Sequence, residues 1–341
     1  MSEAPLEQAA GNLWQLIMGF RITQLIHVAA KLSVADRLAE KPQSVDKLAE
    51  QAGADPDALY RMLRALASLG LFIEEPDRVF ALTPKGELLR GEVAGSMRNV
   101  ALLYGEDWVW RAYGNMLFSA RTGDPAFPET HGLSFYEFLD QHSDAAALFQ
   151  ATMSSFSKQE ATAILASYDF AGVNTVVDVG AGHGALLAAI LGAHPHISGV
   201  AFDLSAPAGD GEQPLADPDL AGRATFVRGD FFAEVPHNGD LYVFKSVLHN
   251  WDDADVRRIL RTCRRAVSSR SRLLIIERVI PSGNGASEAK LFDINMLVAV
   301  GGRERMEREY EALLADAGFA LVRAIPTASP LTLIEAAPLG S

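Results

Sequence analysis

The histidine at position 249 stands in L-H-N-W-D-D, 248–253, at the end of the apolar run D-L-Y-V-F-K-S-V-L. Such a run reads as a buried strand, and parallel sheets carry their ligand sites at strand carboxyl ends. A histidine there, with an ordinary pKa near 6.5, accepts a proton at neutral pH. The competing role is a helix cap. Asp252 and Asp253 already stand where the caps of the next helix (253–268) belong, which leaves His249 for chemistry.

A second cluster is D-V-G-A-G-H-G, with Asp178, Gly180, Gly182 and Gly184 entering a helix. With Ala185 it also matches a dinucleotide fingerprint, and Asp203 closes the following strand where an acid holds ribose hydroxyls. Asp178 separates the two readings. A pyrophosphate at this helix start would meet an added negative charge, which is unfavourable. S-adenosylmethionine presents an ammonium and a sulfonium instead, and a carboxylate helps hold both. Gly184 keeps the helix start open for its amino-acid part. After the third strand, Gly229-Asp230-Phe231 offers an acid for the adenine amino group and an aromatic beside the ring.

Positioning these residues requires a layered sheet. From about residue 174, strands N-T-V-V-D-V-G, S-G-V-A-F-D-L, A-T-F-V-R-G-D-F-F, D-L-Y-V-F-K-S-V-L and S-R-L-L-I-I-E-R-V-I alternate with helical segments. This predicts a doubly wound, mostly parallel α/β sheet of Rossmann-like type, closed by helix 304–317 and strands F-A-L-V-R-A-I and L-T-L-I-E-A-A. The first 95 residues read as helices and a hairpin in winged-helix order. Ser33 is a cap candidate; Ser44 caps and Gly53 stops one helix; Asp55, Pro56 and Gly70 bound the next. The wing is L-F-I-E-E-P-D-R-V-F-A-L-T. The would-be recognition helix offers only Arg61 and Arg64 as cations and begins with Asp55 and Asp57, which argues against DNA. The apolar helices over 13–34 suit a homodimer interface better. Residues 96–160 read as mostly helical with a T-G-D-P-A-F-P-E-T-H-G loop.

Composition excludes other classes. The 341 residues are 49% hydrophobic and 21% charged, with a net charge of −13 and one cysteine. The acidic balance argues against nucleic acid. No apolar run reaches membrane-spanning length, and the acidic N-terminus is not a secretory signal, so cytoplasmic placement is the default. Cys263 reads as packed. His194, His196 and His237 read as solvent residues without ligand spacing, so no metal is expected.

In these motifs the chain resembles the small-molecule O-methyltransferases of plant phenolics and of bacterial phenazines, anthracyclines and other polyketides. The resemblance spans nearly the whole chain: the winged-helix domain, D-V-G-A-G-H-G, F-D-L, R-G-D-F-F, F-K-S-V-L-H-N-W-D-D and G-G-R-E-R. It implies a dimerisation domain over 1–95 and a catalytic domain over 96–341. Within the latter, 96–160 would form a helical pocket region and 161–341 the cofactor fold. It implies that Gly180 approaches the methionine part, Asp203 takes the ribose, Asp230 and Phe231 flank the adenine, and Lys245 lies along the cofactor. His249 would be the general base, oriented by Glu304. Members often carry Asp where this chain has Asn250, and an amide cannot stabilise an imidazolium by charge. The segment after Asp203, 205–222, reads as a Gly/Pro-rich loop where the family has a helix.

The expected reaction is methylation of a hydroxyl on an aromatic secondary metabolite, with S-adenosylhomocysteine as product and no metal. Trp108, Met153, Phe156, Trp251, Asn295 and Met296 are candidates for the acceptor walls. The competing classes are a non-catalytic or a carbon- or nitrogen-methylating member of the same fold, a nicotinamide oxidoreductase, and a ligand-sensing transcription factor.

Overall fold

The computed structural model describes residues 3–204 and 214–340. The chain divides into two compact units, Met1–Arg111 with Leu139–Ser155, and Ala112–Phe138 with Phe156–Ser341.

In the first unit, helices Glu3–Ile17 and Gly19–Lys31 lead into a winged-helix core. Ser44 accepts from the Lys47 N–H to start helix Val45–Ala52, and Gly53 ends it with a left-handed φ of 64°. Asp55 caps helix Pro56–Ser68 through the Ala58 N–H. Strands β1 (Gln43–Ser44), β2 (Phe72–Glu75) and β3 (Val79–Leu82) form a small sheet in the order β1-β3-β2. Leu48, Leu59, Leu63, Leu66, Phe72 and Phe80 are buried behind it, as the helical spacing of the apolar residues requires. Ser33 differs from its expected capping role. The chain breaks there through a left-handed φ of 51° with no side-chain cap, and the hydroxyl accepts from Arg98 at 2.8 Å.

The second unit is built on a seven-stranded sheet. Its strands are β4 (Thr175–Val179), β5 (Ser198–Asp203), β6 (Ala224–Arg228), β7 (Leu241–Lys245), β8 (Arg272–Glu277), β9 (Phe319–Pro326) and β10 (Thr332–Pro338). Their order is β6-β5-β4-β7-β8-β10-β9. The first five run parallel, and β10 lies antiparallel to both its neighbours. The five parallel strands thus form a doubly wound sheet whose strand order reverses between β4 and β7, the crevice where such sheets bind ligands. Parallel strands are covered on both faces, so their sequences run apolar without alternation. Val176, Val177, Leu241, Tyr242, Val243 and Phe244 are all fully buried accordingly. Cys263 is buried in one of the flanking layers, and burial pushes its thiol pKa up, as expected for a packed side chain.

Two local readings change, and one helix is added. The T-G-D-P-A-F-P-E-T-H-G segment contains a helix, Ala126–His131, ended by Gly132. Burial of Ala126 and Phe127 outweighs the turn-forming composition. Residues 286–300, which carry no clear period, form helix Glu288–Ala299. His194 is half-buried and packs on Phe170, with ring centroids 4.9 Å apart. Of the Gly/Pro-rich segment, residues 205–213 lie outside the described residues. Residues 214–220 hold two short 3-10 turns, Pro214–Ala216 and Pro218–Leu220. No described helix is long and apolar enough to cross a membrane.

Candidate functional site

His249 lies in a short 3-10 turn, Leu248–Asn250, just past β7. Helix Asp253–Ala266 does start on the aspartates: Asp252 accepts from the Asp255 N–H at 2.8 Å. The histidine itself is buried and makes no cap. Its Nδ1 lies 2.7 Å from Glu304 Oε1 and 3.4 Å from Glu277 Oε2. The structure therefore brings His249 and Glu304 together, and adds a second carboxylate that the sequence did not single out. Glu277 closes β8, and the register pairs Lys245 with Ile276, one residue short of it. Its Oε1 accepts from the backbone N–H groups of Val247 (3.0 Å) and Leu248 (2.9 Å). The signal available in the sequence was a carboxylate ending the apolar run R-L-L-I-I-E. The second carboxylate on the imidazole thus comes from Glu277, and not from position 250. Asn250 turns away and donates from Nδ2 to the Ser246 carbonyl at 3.2 Å.

A proton on Nδ1 is held by Glu304, which leaves the Nε2 lone pair as the acceptor. Burial alone would lower the histidine pKa. The Glu277 and Glu304 carboxylates outweigh it and raise the value, while the Arg278 charge opposes them. Glu277 is itself pushed up, first by burial and then by Glu304, with His249 pulling the other way. Two carboxylates and one imidazole in a buried site share protons as a unit.

The G-G-R-E-R segment is what brings Glu304 to the histidine. A Cβ on Gly302 would lie 2.0 Å from the His249 carbonyl oxygen and 2.6 Å from the Asn250 carbonyl carbon. Only glycine permits this approach. The Arg303 N–H donates to that same carbonyl at 2.8 Å. Arg305, fully buried, donates to the carbonyls of Leu248 (3.1 Å) and Trp251 (2.8 Å) and to Asp253 (2.9 Å). Asp293 accepts from the Glu304 N–H at 2.8 Å. Burial raises its pKa first, against that hydrogen bond and the Arg303 charge.

At the end of β4, Gly180, Gly182 and Gly184 have φ of 73°, 55° and 75°, the left-handed region that favours glycine. Gly180 also lies close under Val247, where a Cβ would meet Cγ2 at 2.6 Å. Asp203 fixes the turn by accepting from the Gly182 N–H at 2.8 Å, and from Leu204 at 2.7 Å. Asp178 is buried, and burial moves its pKa up to about 7, with Lys245 lowering it and Asp203 raising it. A cationic ligand beside this buried carboxyl would favour its ionised form, so the site fits one. Gly184 does not leave the helix start open as expected, since a Cβ there would lie 2.4 Å from Leu215 Cδ1, whereas a Cβ on Gly182 would meet no described residue beyond its chain neighbours within 4 Å. The buried carboxyl suits an ammonium and a sulfonium better than a pyrophosphate. Asp230 is exposed and accepts from the Phe232 N–H at 2.8 Å. Gly229 packs against the Phe202 ring, and Phe231 is buried edge-on to Trp251 at 6.1 Å.

Lys245 is drawn into a buried ion pair with Glu160 at 2.7 Å. Arg278, next to Glu277, approaches the other Glu160 oxygen at 3.8 Å. Neither Glu160 nor Arg278 stood out in the sequence. Among the acceptor-wall candidates, Trp108 and Met153 are half-buried in the first unit. Phe156, Trp251, Asn295 and Met296 belong to the second. Trp251 packs edge-on to Phe232 at 4.7 Å, and Asn295 accepts from the Tyr113 hydroxyl at 2.9 Å. His249, Glu277 and Glu304 also each offer a ligand atom within 4.8 Å of the others, the one such cluster among the described residues. Glu304 is committed to the imidazole and Glu277 Oε1 to backbone N–H groups.

Residues 110–320 match the family model of the O-methyltransferase domain, and residues 14–91 that of the O-methyltransferase dimerisation domain. The chain is 41% identical to the phenazine O-methyltransferase PhzM of Lysobacter antibioticus over 96% of both proteins. It is 37% identical to the 8-amino-8-demethylriboflavin N,N-dimethyltransferase of Streptomyces davaonensis, over 98% of this chain and 97% of that one. The structure superposes on CalO1, a methyltransferase in calicheamicin biosynthesis solved in its S-adenosylhomocysteine-bound form, with a TM-score of 0.87 and 36% identity. That match covers 97% of this chain and 98% of CalO1. With the glycine turn, the winged helix and the sheet order in agreement, this chain belongs to the O-methyltransferase family and is an S-adenosylmethionine-dependent methyltransferase.

Proposed function

We propose that the protein methylates a hydroxyl of an aromatic secondary metabolite, with His249 as the general base. The observation that carries this reading is the imidazole fixed between two buried carboxylates at the strand end beside the glycine turn. When bound, the cofactor supplies a methyl group already activated on a cationic sulfur. Asp178, Gly180, Gly182, Asp203, Gly229, Asp230, Phe231 and Lys245 would hold it. A phenol with a pKa near 10 is un-ionised at neutral pH, so its proton must leave as the oxygen attacks. Nε2 of His249 takes that proton. Glu304 keeps the Nδ1 tautomer, and Glu277 stabilises the imidazolium by charge, the role Asn250 cannot fill. The proton acceptor is thus supplied without a metal. Residues 1–95 would act as the dimerisation domain and 96–341 as the catalytic domain, in a homodimer.

The nitrogen-methylating relative defines the second reading, since an amine acceptor depends less on a base. The test is His249→Ala. We expect S-adenosylmethionine affinity to hold, by calorimetry, and turnover on phenolic acceptors to fall by about 10²–10⁴-fold. Unchanged turnover would remove His249 from the reaction.

A further inference from the structure

The mechanism leaves one buried cation unused. Arg278 follows Glu277 at the end of β8, and its side chain is only 7% exposed. Its guanidinium makes no hydrogen bond within the described residues, and the buried Nε lies 4.0 Å from a Glu288 oxygen, beyond hydrogen-bond distance. Its nearest acidic groups are Glu160 at 3.8 Å and Glu288 at 4.0 Å. Glu160 is already closed on Lys245 at 2.7 Å, and Glu288 is 65% exposed. Two buried cations therefore share one buried carboxylate. A buried N–H donor left without a hydrogen bond is costly, and such a group calls for an explanation, which a bound ligand can supply.

Its position points to which ligand. The guanidinium lies over the Phe292 ring, 4.1 Å from its centroid. The same ring stacks with the His249 imidazole, centroids 6.2 Å apart and planes inclined by 18°. The cation and the base thus meet one aromatic side chain. Arginine presents a planar fork of N–H donors that matches a carboxylate with two parallel bonds, and here the fork has ion pairs at 3.8 and 4.0 Å but no hydrogen bond among the described residues.

We propose that Arg278 is a specificity-determining residue: it takes a carboxylate on the aromatic acceptor while His249 faces the hydroxyl. The substrate class is then a hydroxyaromatic acid in preference to a neutral phenol. This deepens the reading of the site given above and rests on it.

Binding to the S-adenosylhomocysteine-loaded full chain, read by calorimetry, tests the assignment without requiring turnover. The probes are a hydroxynaphthoate against the matching naphthol, and a hydroxyphenazine carboxylate against the matching hydroxyphenazine. A charge-assisted pair to a buried arginine makes the acid bind about tenfold tighter or more on at least one ring system. Arg278→Met removes that preference, and Arg278→Lys keeps part of it. A merely structural arginine would leave the acid-to-phenol ratio unchanged in both variants. Equal binding of acid and phenol by the wild-type protein on both ring systems overturns the proposal, and needs no variant to fold. So does an undiminished preference in Arg278→Met. Turnover is measured separately with the same probes. Preference for the acid without methylation of its hydroxyl would sustain Arg278 as the reader and reject the proposed reaction.

Discussion

At the residue scale, the site is a buried imidazole whose proton affinity is set by two glutamates with different tasks. Glu304 is hydrogen-bonded to Nδ1, whereas Glu277 spends one oxygen on backbone N–H groups and leaves the other 3.4 Å from the ring. That division gives a pH prediction with a definite sign. A base must be neutral to accept a proton. Because the net effect of the carboxylates raises the His249 pKa above its ordinary 6.5, turnover should fall as pH drops through a value above 6.5. In Glu277→Gln the amide oxygen still accepts the backbone N–H groups, but the negative charge is gone. The acid limb of the kcat profile should therefore move to lower pH, by about one unit. A limb that stays in place would show that Glu277 is structural only. Glu277 could not be matched to His249 from the sequence, because the two meet only through the parallel register of β7 and β8. His249 was legible because it ends an apolar run just ahead of the aspartate caps, whereas Glu304 was named only through the family resemblance.

At the element scale, the site depends on a loop pressed against a turn. The helices and strands that frame it were legible from caps, glycines and apolar runs: Ser44, Asp55, Gly53 and the β4, β7 and β8 cores all act locally. Helices Ala126–His131 and Glu288–Ala299 were not, since their turn-forming or aperiodic composition is overridden by burial of residues such as Phe127 and Met296. The function of G-G-R-E-R was legible only for its glutamate. Gly302 and Arg305 reveal their purpose once the loop is seen against the backbone of 248–251. Gly302→Ala must push the loop off the His249 carbonyl, and displacements of about 1 Å can cost 10²-fold in rate. We expect kcat to fall by about that factor with cofactor affinity retained; an unaltered kcat would refute the contact. Arg305→Met removes the Arg305 donor from the Trp251 and Leu248 carbonyls and, among the described residues, leaves Asp253 with only Arg303 at 3.8 Å as an ion-pair partner. It should destabilise the fold by about 3 kcal/mol or more, read by urea unfolding.

At the scale of the whole molecule, the chain exposes a face that an isolated protein of its composition would hide. Leu13, Trp14, Leu16, Ile17 and Phe20, along the first two helices, are between 49% and 79% exposed. All but Leu13 fall within the stretch matched by the dimerisation-domain model, 14–91, and a second copy is the partner that the proposed homodimer assigns to them. A C2 interface is self-complementary, so one apolar helical face can be covered by its own copy. Burying a large apolar side chain contributes about 1.5–3 kcal/mol, and each residue counts twice in a symmetric pair. Replacing Trp14 and Ile17 together by Asp should therefore leave a monomer at micromolar concentration, as read by sedimentation equilibrium. The winged-helix core behind these helices, with Leu48, Leu63 and Phe80 fully buried, does not use either side chain, so the monomer should remain folded by circular dichroism. A double variant that still sediments as a dimer would move the interface elsewhere. If instead the wild-type protein sediments as a monomer, the exposed face has another partner and the homodimer reading fails.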